Sequence, residues 1–145
     1  MKKKLCVVLA DYYDDITKLL VKGAVEEIQQ AESKGIIKKV HGAFFHDMFF
    51  HVPGVCEIPV TISKLIKKYD GFIAVGCIIK GETPNFDFIS QAITNGIMQL
   101  SISNKKPIGN AVITCLDEDQ AKKRISKGEK AASAVLDVLD NSYLK

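Results

Sequence analysis

Short runs that are apolar at nearly every position alternate along the chain with longer stretches in which apolar residues recur every three or four positions. Leu5–Ala10 is the first such run and has the length of a strand. Asp14 or Asp15 then caps a predicted helix in which Ile16, Leu19, Leu20, Ala24, Val25 and Ile28 recur at helical spacing, ending near Gly35. A segment rich in aromatics and histidine follows, most strand-like over residues 47–52, and Pro53-Gly54 breaks it. Pro59 stands in the first turn of a short helix carrying Ile62, Leu65 and Ile66. Gly71–Ile79 is again apolar almost throughout, and residues 81–84 form a turn. From there to about Asn104 the positions Phe86, Ile89, Ile93, Ile97 and Leu100 predict a helix. Pro107 precedes a fourth strand, Ile108–Cys115, and one last helix runs from about Asp117, its cap, to Leu139.

Strands that are apolar on both faces and separated by helices predict a parallel sheet covered on both sides. With right-handed crossovers this gives a three-layer α/β/α sandwich, flavodoxin-like, around a four-stranded parallel sheet. Residues 1–145 make a single domain of ordinary size. Ligands of such sheets gather at the carboxyl ends of the strands, so the loops after Ala10, Val52, Ile79 and Thr114 are where chemistry is sought.

Composition narrows the class. The chain is 47% hydrophobic and 26% charged, with a net charge of +3, as expected for a globular domain with no dominant basic block. Lys2-Lys3-Lys4 reads as a solvated chain end, and no nucleic-acid partner is expected. No apolar stretch nears the roughly 18 residues of a membrane span. Leu5–Ala10 is too short for a signal peptide, so a cytoplasmic protein without membrane partners is expected. Cys6, Cys56, Cys77 and Cys115 are widely spaced without a CxxC pair. Cys6, Cys77 and Cys115 fall in predicted buried strands, and neither a disulfide framework nor a metal site is expected.

Four features have the right chemistry for a site. Gly81-Glu82-Thr83 leads from a strand into a helix N-terminus, where unpaired N–H groups and the helix dipole favour an anion. Taken alone, the segment reads first as an ordinary turn with Thr83 as helix cap. In Val52-Pro53-Gly54-Val55-Cys56-Glu57-Ile58-Pro59, Gly54 permits a tight turn and the Glu57 carboxylate either accepts hydrogen bonds from a polyol or only favours the following helix. Arg124, near Lys122, Lys123, Lys127 and Lys130, is either part of a solvated face or a bidentate clamp for phosphate. Tyr12, after the first strand, either stacks on a planar heterocycle or packs at the rim. His41, His46 and His51 have no neighbouring acid or cysteine cluster in the sequence and read as surface or strand-edge residues.

Taken in order, these features resemble the lumazine synthase family along most of the chain. Residues 52–59 look like its VPG-x-x-E-[IL]-P block. Residues 74–88, AVGCIIKGETPNFDF, look like its ALG-x-VIRG-x-T-x-HF[DE][YF] block. Thr94-Asn95-Gly96 is similar to its SNG, and Gln120-Ala121 through Arg124 to its last-helix arginine. The first two blocks match in register over eight and fifteen positions and are specific.

The resemblance implies condensation of 5-amino-6-ribitylamino-pyrimidinedione with 3,4-dihydroxy-2-butanone 4-phosphate to 6,7-dimethyl-8-ribityllumazine, with no cofactor and no metal. It implies that Tyr12 stacks on the pyrimidine and that Val55, Cys56 and Glu57 hold the ring and ribityl chain. Cys77, Ile78 and Ile79 line the floor, and Gly81, Glu82, Thr83 and Arg124 bind phosphate. It also implies a homopentamer with sites between subunits, in some members packed into an icosahedral shell, with Arg124 and the fourth-strand residue reaching a neighbour's site. Two departures stand out. Asn85 occupies the place of the family's histidine and cannot shuttle a proton, while Asn110 replaces a fourth-strand aromatic. Lys130 lies near the family's lysine. A catalytically weakened lumazine- or flavin-binding shell protein is the alternative that Asn85 supports.

Overall fold

The computed structural model describes residues 2–37 and 48–140. Its four strands are β1 (Leu5–Ala10), β2 (Phe49–Val52), β3 (Gly71–Ile79) and β4 (Ile108–Cys115), all parallel, in the order β2-β1-β3-β4. The sheet is the flavodoxin-like one expected from the apolar runs. Period-two alternation divides its side chains between two cores. Leu5, Val7, Leu9, Ile73, Val75, Cys77, Ala111, Ile113 and Cys115 face α1 (Asp14–Ser33) and α5 (Lys127–Asp140). Cys6, Val8, Ala10, Phe72, Ala74, Ile78 and Val112 face α2 (Ile58–Leu65) and α3 (Asn85–Asn104). Both faces are covered by helices, in keeping with strands that carry few polar residues.

Helix boundaries differ from expectation in places with physical causes. Tyr13 is the N-cap of α1, without a side-chain bond, so Asp14 and Asp15 are first-turn residues that favour the helix dipole. At the other end Gly35 adopts φ 76°. There the Gly35 amide donates to Glu32 O and the Ile36 amide to Ala31 O, a Schellman closure. Pro59 lies in the first turn of α2 as expected. Pro84, not Thr83, caps α3, and Thr83 Oγ1 accepts from the Asn85 amide at 3.4 Å.

The last helix is not continuous. Asp117 caps a short α4 (Glu118–Lys122), its Oδ1 accepting from the Gln120 amide at 2.8 Å. The chain then turns before α5, with Arg124 N bonded to Ala121 O and Lys127 N to Arg124 O, bonds spanning three residues rather than four. Arg124 therefore stands in a corner between helices. Strand β2 begins at Phe49; residue 47, like His41 and His46, lies outside the described residues.

Candidate functional site

The parallel register brings three loops to one edge of the sheet. Ala10 pairs with Val52, so the chain leaves β1 and β2 at the same level. A Cβ on Gly76 would stand 2.8 Å from Val55 Cγ1 and 3.7 Å from Ala10 Cβ. The bare backbone of β3 at that point lets the loop after β2 lie against the sheet. Ile79 pairs with Cys115, and the Lys80 amide donates to Cys115 O at 2.9 Å, so the turn after β3 starts beside the end of β4.

Tyr12 is 78% exposed and meets Tyr13 edge-on, with ring centroids 5.0 Å apart. Its open face is available to a planar ring. Val55–Glu57 form a single 3₁₀ turn before α2; Val55 is half-buried, and Cys56 and Glu57 are exposed. Gly54 is extended (φ −153°), a conformation open to any residue, so the tight turn expected there is not what selects glycine. A Cβ at that position would instead meet Glu57 Oε1 at 3.3 Å. Gly81, Glu82, Thr83 and Asn85 are exposed at the start of α3, whose 20 residues direct the positive end of the dipole toward them.

The expected floor divides between the two sheet faces. Cys77 and Ile79 pack toward α1 and α5, and Ile78 toward α2 and α3. Their side chains thus alternate between the two cores, while their backbone runs along a common line. Burial, followed by the adjacent Cys115 thiol, pushes the Cys77 thiol up to about 11. Burial likewise raises Cys115. Both are neutral hydrophobes at physiological pH.

The basic residues lie elsewhere. Arg124, Lys123, Lys127 and Lys130 line a cleft of about 360 Å³ with Val112, Ile113, Thr114 and Ser126, beside β4, the terminal strand of the sheet. The Arg124 guanidinium donates from Nη1 to Gln120 O at 3.2 Å. Asn110, half-buried on β4, accepts from the Val112 amide at 2.9 Å through Oδ1, a local bond that occupies a strand amide. Among the described residues no bond joins Arg124 to the 81–83 turn.

One pair escaped sequence reasoning. His51, on β2, lies with Nδ1 2.8 Å from Asp11 Oδ2, although the two are 40 residues apart. Only the strand register unites them, and no local spacing signals it. Among the described residues no group of three or more His, Cys, Asp or Glu side chains has metal-holding geometry.

Comparison with known proteins gives this arrangement a context. The family model described as 6,7-dimethyl-8-ribityllumazine synthase matches residues 2–142. The chain is 35% identical over 148 residues to 6,7-dimethyl-8-ribityllumazine synthase 1 of Rhodopseudomonas palustris, covering 94% of this chain and 83% of that one. It is 32% identical over 151 residues to the 6,7-dimethyl-8-ribityllumazine synthase of Agrobacterium fabrum, covering 96% and 94%. The enzyme of the same name from Limosilactobacillus reuteri is 32% identical over 138 residues, covering 92% and 84%. A match over almost the whole chain, on a sheet whose loops meet at one edge, has one reading: the chain belongs to the 6,7-dimethyl-8-ribityllumazine synthase family.

Proposed function

We propose that this protein, acting as one domain per subunit in the cytoplasm, condenses 5-amino-6-ribitylamino-pyrimidinedione with 3,4-dihydroxy-2-butanone 4-phosphate. The amine attacks the ketone and water leaves to give an imine. Phosphate then departs by elimination, the enol left behind tautomerises to a new ketone, and the exocyclic ribitylamino nitrogen closes on that ketone with loss of another water, giving 6,7-dimethyl-8-ribityllumazine. The observation that carries the reading is the meeting of the loops at Tyr12, Val55–Glu57 and 81–85 at one sheet edge in a member of this family.

Tyr12 stacks on the pyrimidine, while Val55, Cys56 and Glu57 hold its edge and the ribityl chain. Backbone along Cys77, Ile78 and Ile79 borders the ring. Gly81, Glu82 and Thr83 receive the phosphate at the positive end of α3. Arg124, with Asn110 and Lys130, serves the site of an adjoining subunit. Support for this comes from the position of Asn110 on the terminal strand, with Arg124 and Lys130 in the cleft beside it, and from the absence of a bond between Arg124 and 81–83 among the described residues. Phe88, Met98 and Ile102 expose apolar surface on α3, which supports the association of subunits into a homopentamer or a shell of pentamers.

The amine is already nucleophilic and phosphate is a competent leaving group. Juxtaposing the substrates therefore supplies most of the acceleration, up to about 7–11 kcal/mol. Asn85 donates an N–H where related proteins use histidine but moves no proton, so general acid–base help is absent at that position.

The observation of Asn85 also favours a second reading, a binding protein that retains the pocket without turnover. A single-turnover assay with both substrates separates the two. Lumazine formation well above the uncatalysed rate is the expected result; binding of the pyrimidine without product would sink the enzyme reading.

A further inference from the structure

Two side-chain bonds hold the exit of β1. The buried Thr17 hydroxyl donates to Ala10 O at 3.2 Å, fastening the last strand carbonyl to α1. One residue further, Asp11 Oδ2 lies 2.8 Å from His51 Nδ1. Leu9 pairs with His51 and Ala10 with Val52, so Asp11 reaches back across the β1–β2 pairing. The bond thus ties the loop that carries Tyr12 to the strand that feeds Val55–Glu57. Lys18, paired with Asp14 at 2.8 Å, adds a positive charge facing Asp11.

The pair is exposed, with 62% of the His51 side chain and 43% of the Asp11 side chain accessible. Such pairs add little to global stability. Its consequence is local. Tyr12 directly follows Asp11 and is itself largely exposed; the fastenings on either side of it are this pair and Tyr13 O, which accepts from the Thr17 amide at 2.9 Å. An aromatic platform contributes most when its orientation is fixed before the ligand arrives.

We propose that Asp11 and His51 are positioning residues that pre-orient Tyr12 and hold it in register with Val55–Glu57 for the planar ring. The proposal rests on the assignment of Tyr12 to the pyrimidine. An Nδ1–H donates to the Asp11 carboxylate whether the imidazole is neutral in that tautomer or protonated, so the bond needs a donor at that atom rather than a charge. An asparagine side chain places an N–H near the same point.

The test compares Asp11→Ala, His51→Ala, the double variant and His51→Asn in the full-length protein. Each alanine variant is expected to raise the KM for the pyrimidine about three- to fivefold, the scale of a lost exposed ion pair. The KM for the butanone phosphate and kcat stay within about twofold, since Tyr12 does not serve that substrate. The double variant is no worse than either single one, because both remove the same bond. His51→Asn restores the pyrimidine KM. An unchanged pyrimidine KM, equal losses for both substrates, or an asparagine variant as impaired as the alanine one overturns the proposal. Amide hydrogen exchange at Tyr12 and Tyr13 provides a readout independent of catalysis. It accelerates in both alanine variants if the pair holds the loop, and unchanged exchange rejects the pair's role even in a protein that makes no lumazine.

Discussion

The two halves of the candidate site are built differently. Around β1 and β2 the chain supplies its own fastenings: Thr17 to Ala10, Asp11 to His51, and Val55 against the bare backbone at Gly76. Around β3 and β4 the 81–85 turn is open, and the cation best suited to an anion stands beside the terminal strand, bonded only to its own turn at Gln120 O among the described residues. On the proposed function, a planar ring requires shape and orientation, which fastenings within one chain can provide. A phosphate requires concentrated charge, and here the guanidinium stands apart from the 81–85 turn, as the proposed two-subunit site calls for.

The sharpest way to break this contrast is at the arginine. Arg124→Ala is expected to lower kcat/KM for the phosphate substrate by about 10²- to 10³-fold, the cost of a lost charge-assisted clamp. Its effect on pyrimidine affinity should stay within about threefold. Separate titration of the two substrates checks this, and equal losses would remove the division between halves.

Thiol chemistry probes the same contrast at rest. With Cys77 pushed up to about 11 by burial, only about a thousandth of it is thiolate at pH 8. Cys6, pushed up to about 12 by burial, is scarcer still. The exposed Cys56 should therefore take up iodoacetamide well before Cys6, Cys77 and Cys115, as read by peptide mass mapping. Simultaneous labelling of Cys77 would show that the core between the sheet and α1 and α5 opens to solvent.

Gly76→Ala attacks the other half. The added Cβ lies 2.8 Å from Val55 Cγ1, so Val55 must shift. A loss of about 1–3 kcal/mol in unfolding free energy is expected, with pyrimidine affinity falling more than phosphate affinity. Denaturant unfolding with ligand titration measures both. Smallest of all, Asn85→His should raise kcat by no more than about tenfold, since juxtaposition dominates. A gain of about 10²-fold or more would show that proton transfer limits the rate.

Much of this was written in local pattern. The continuous apolar runs gave four parallel strands because both sheet faces are covered, and Pro59, Gly35 and Asp117 marked helix ends through backbone chemistry. What local pattern missed depends on tertiary geometry. Lys122 to Lys127 reads as uninterrupted helix because lysine, arginine and isoleucine all tolerate one, yet the chain turns at Arg124 to run α5 against α1 and β4. The pairing of Asp11 with His51 needs the β1–β2 register, and the division of Cys77, Ile78 and Ile79 between faces follows from strand alternation. The loops at Tyr12, Glu57 and Thr83 were legible as motifs, whereas the position of Arg124 relative to them was not.

Mixed assembly tests the two-subunit site most directly. Arg124→Ala subunits and subunits carrying Glu57→Ala, one impaired in each half of the proposed site, are unfolded and reassembled together in equal amounts. If the two halves come from different subunits, about a quarter of the sites in a random closed ring regain both wild-type halves, and activity rises to about that fraction. Activity no greater than the sum of the two parent variants, in particles shown to contain both, would contradict the account.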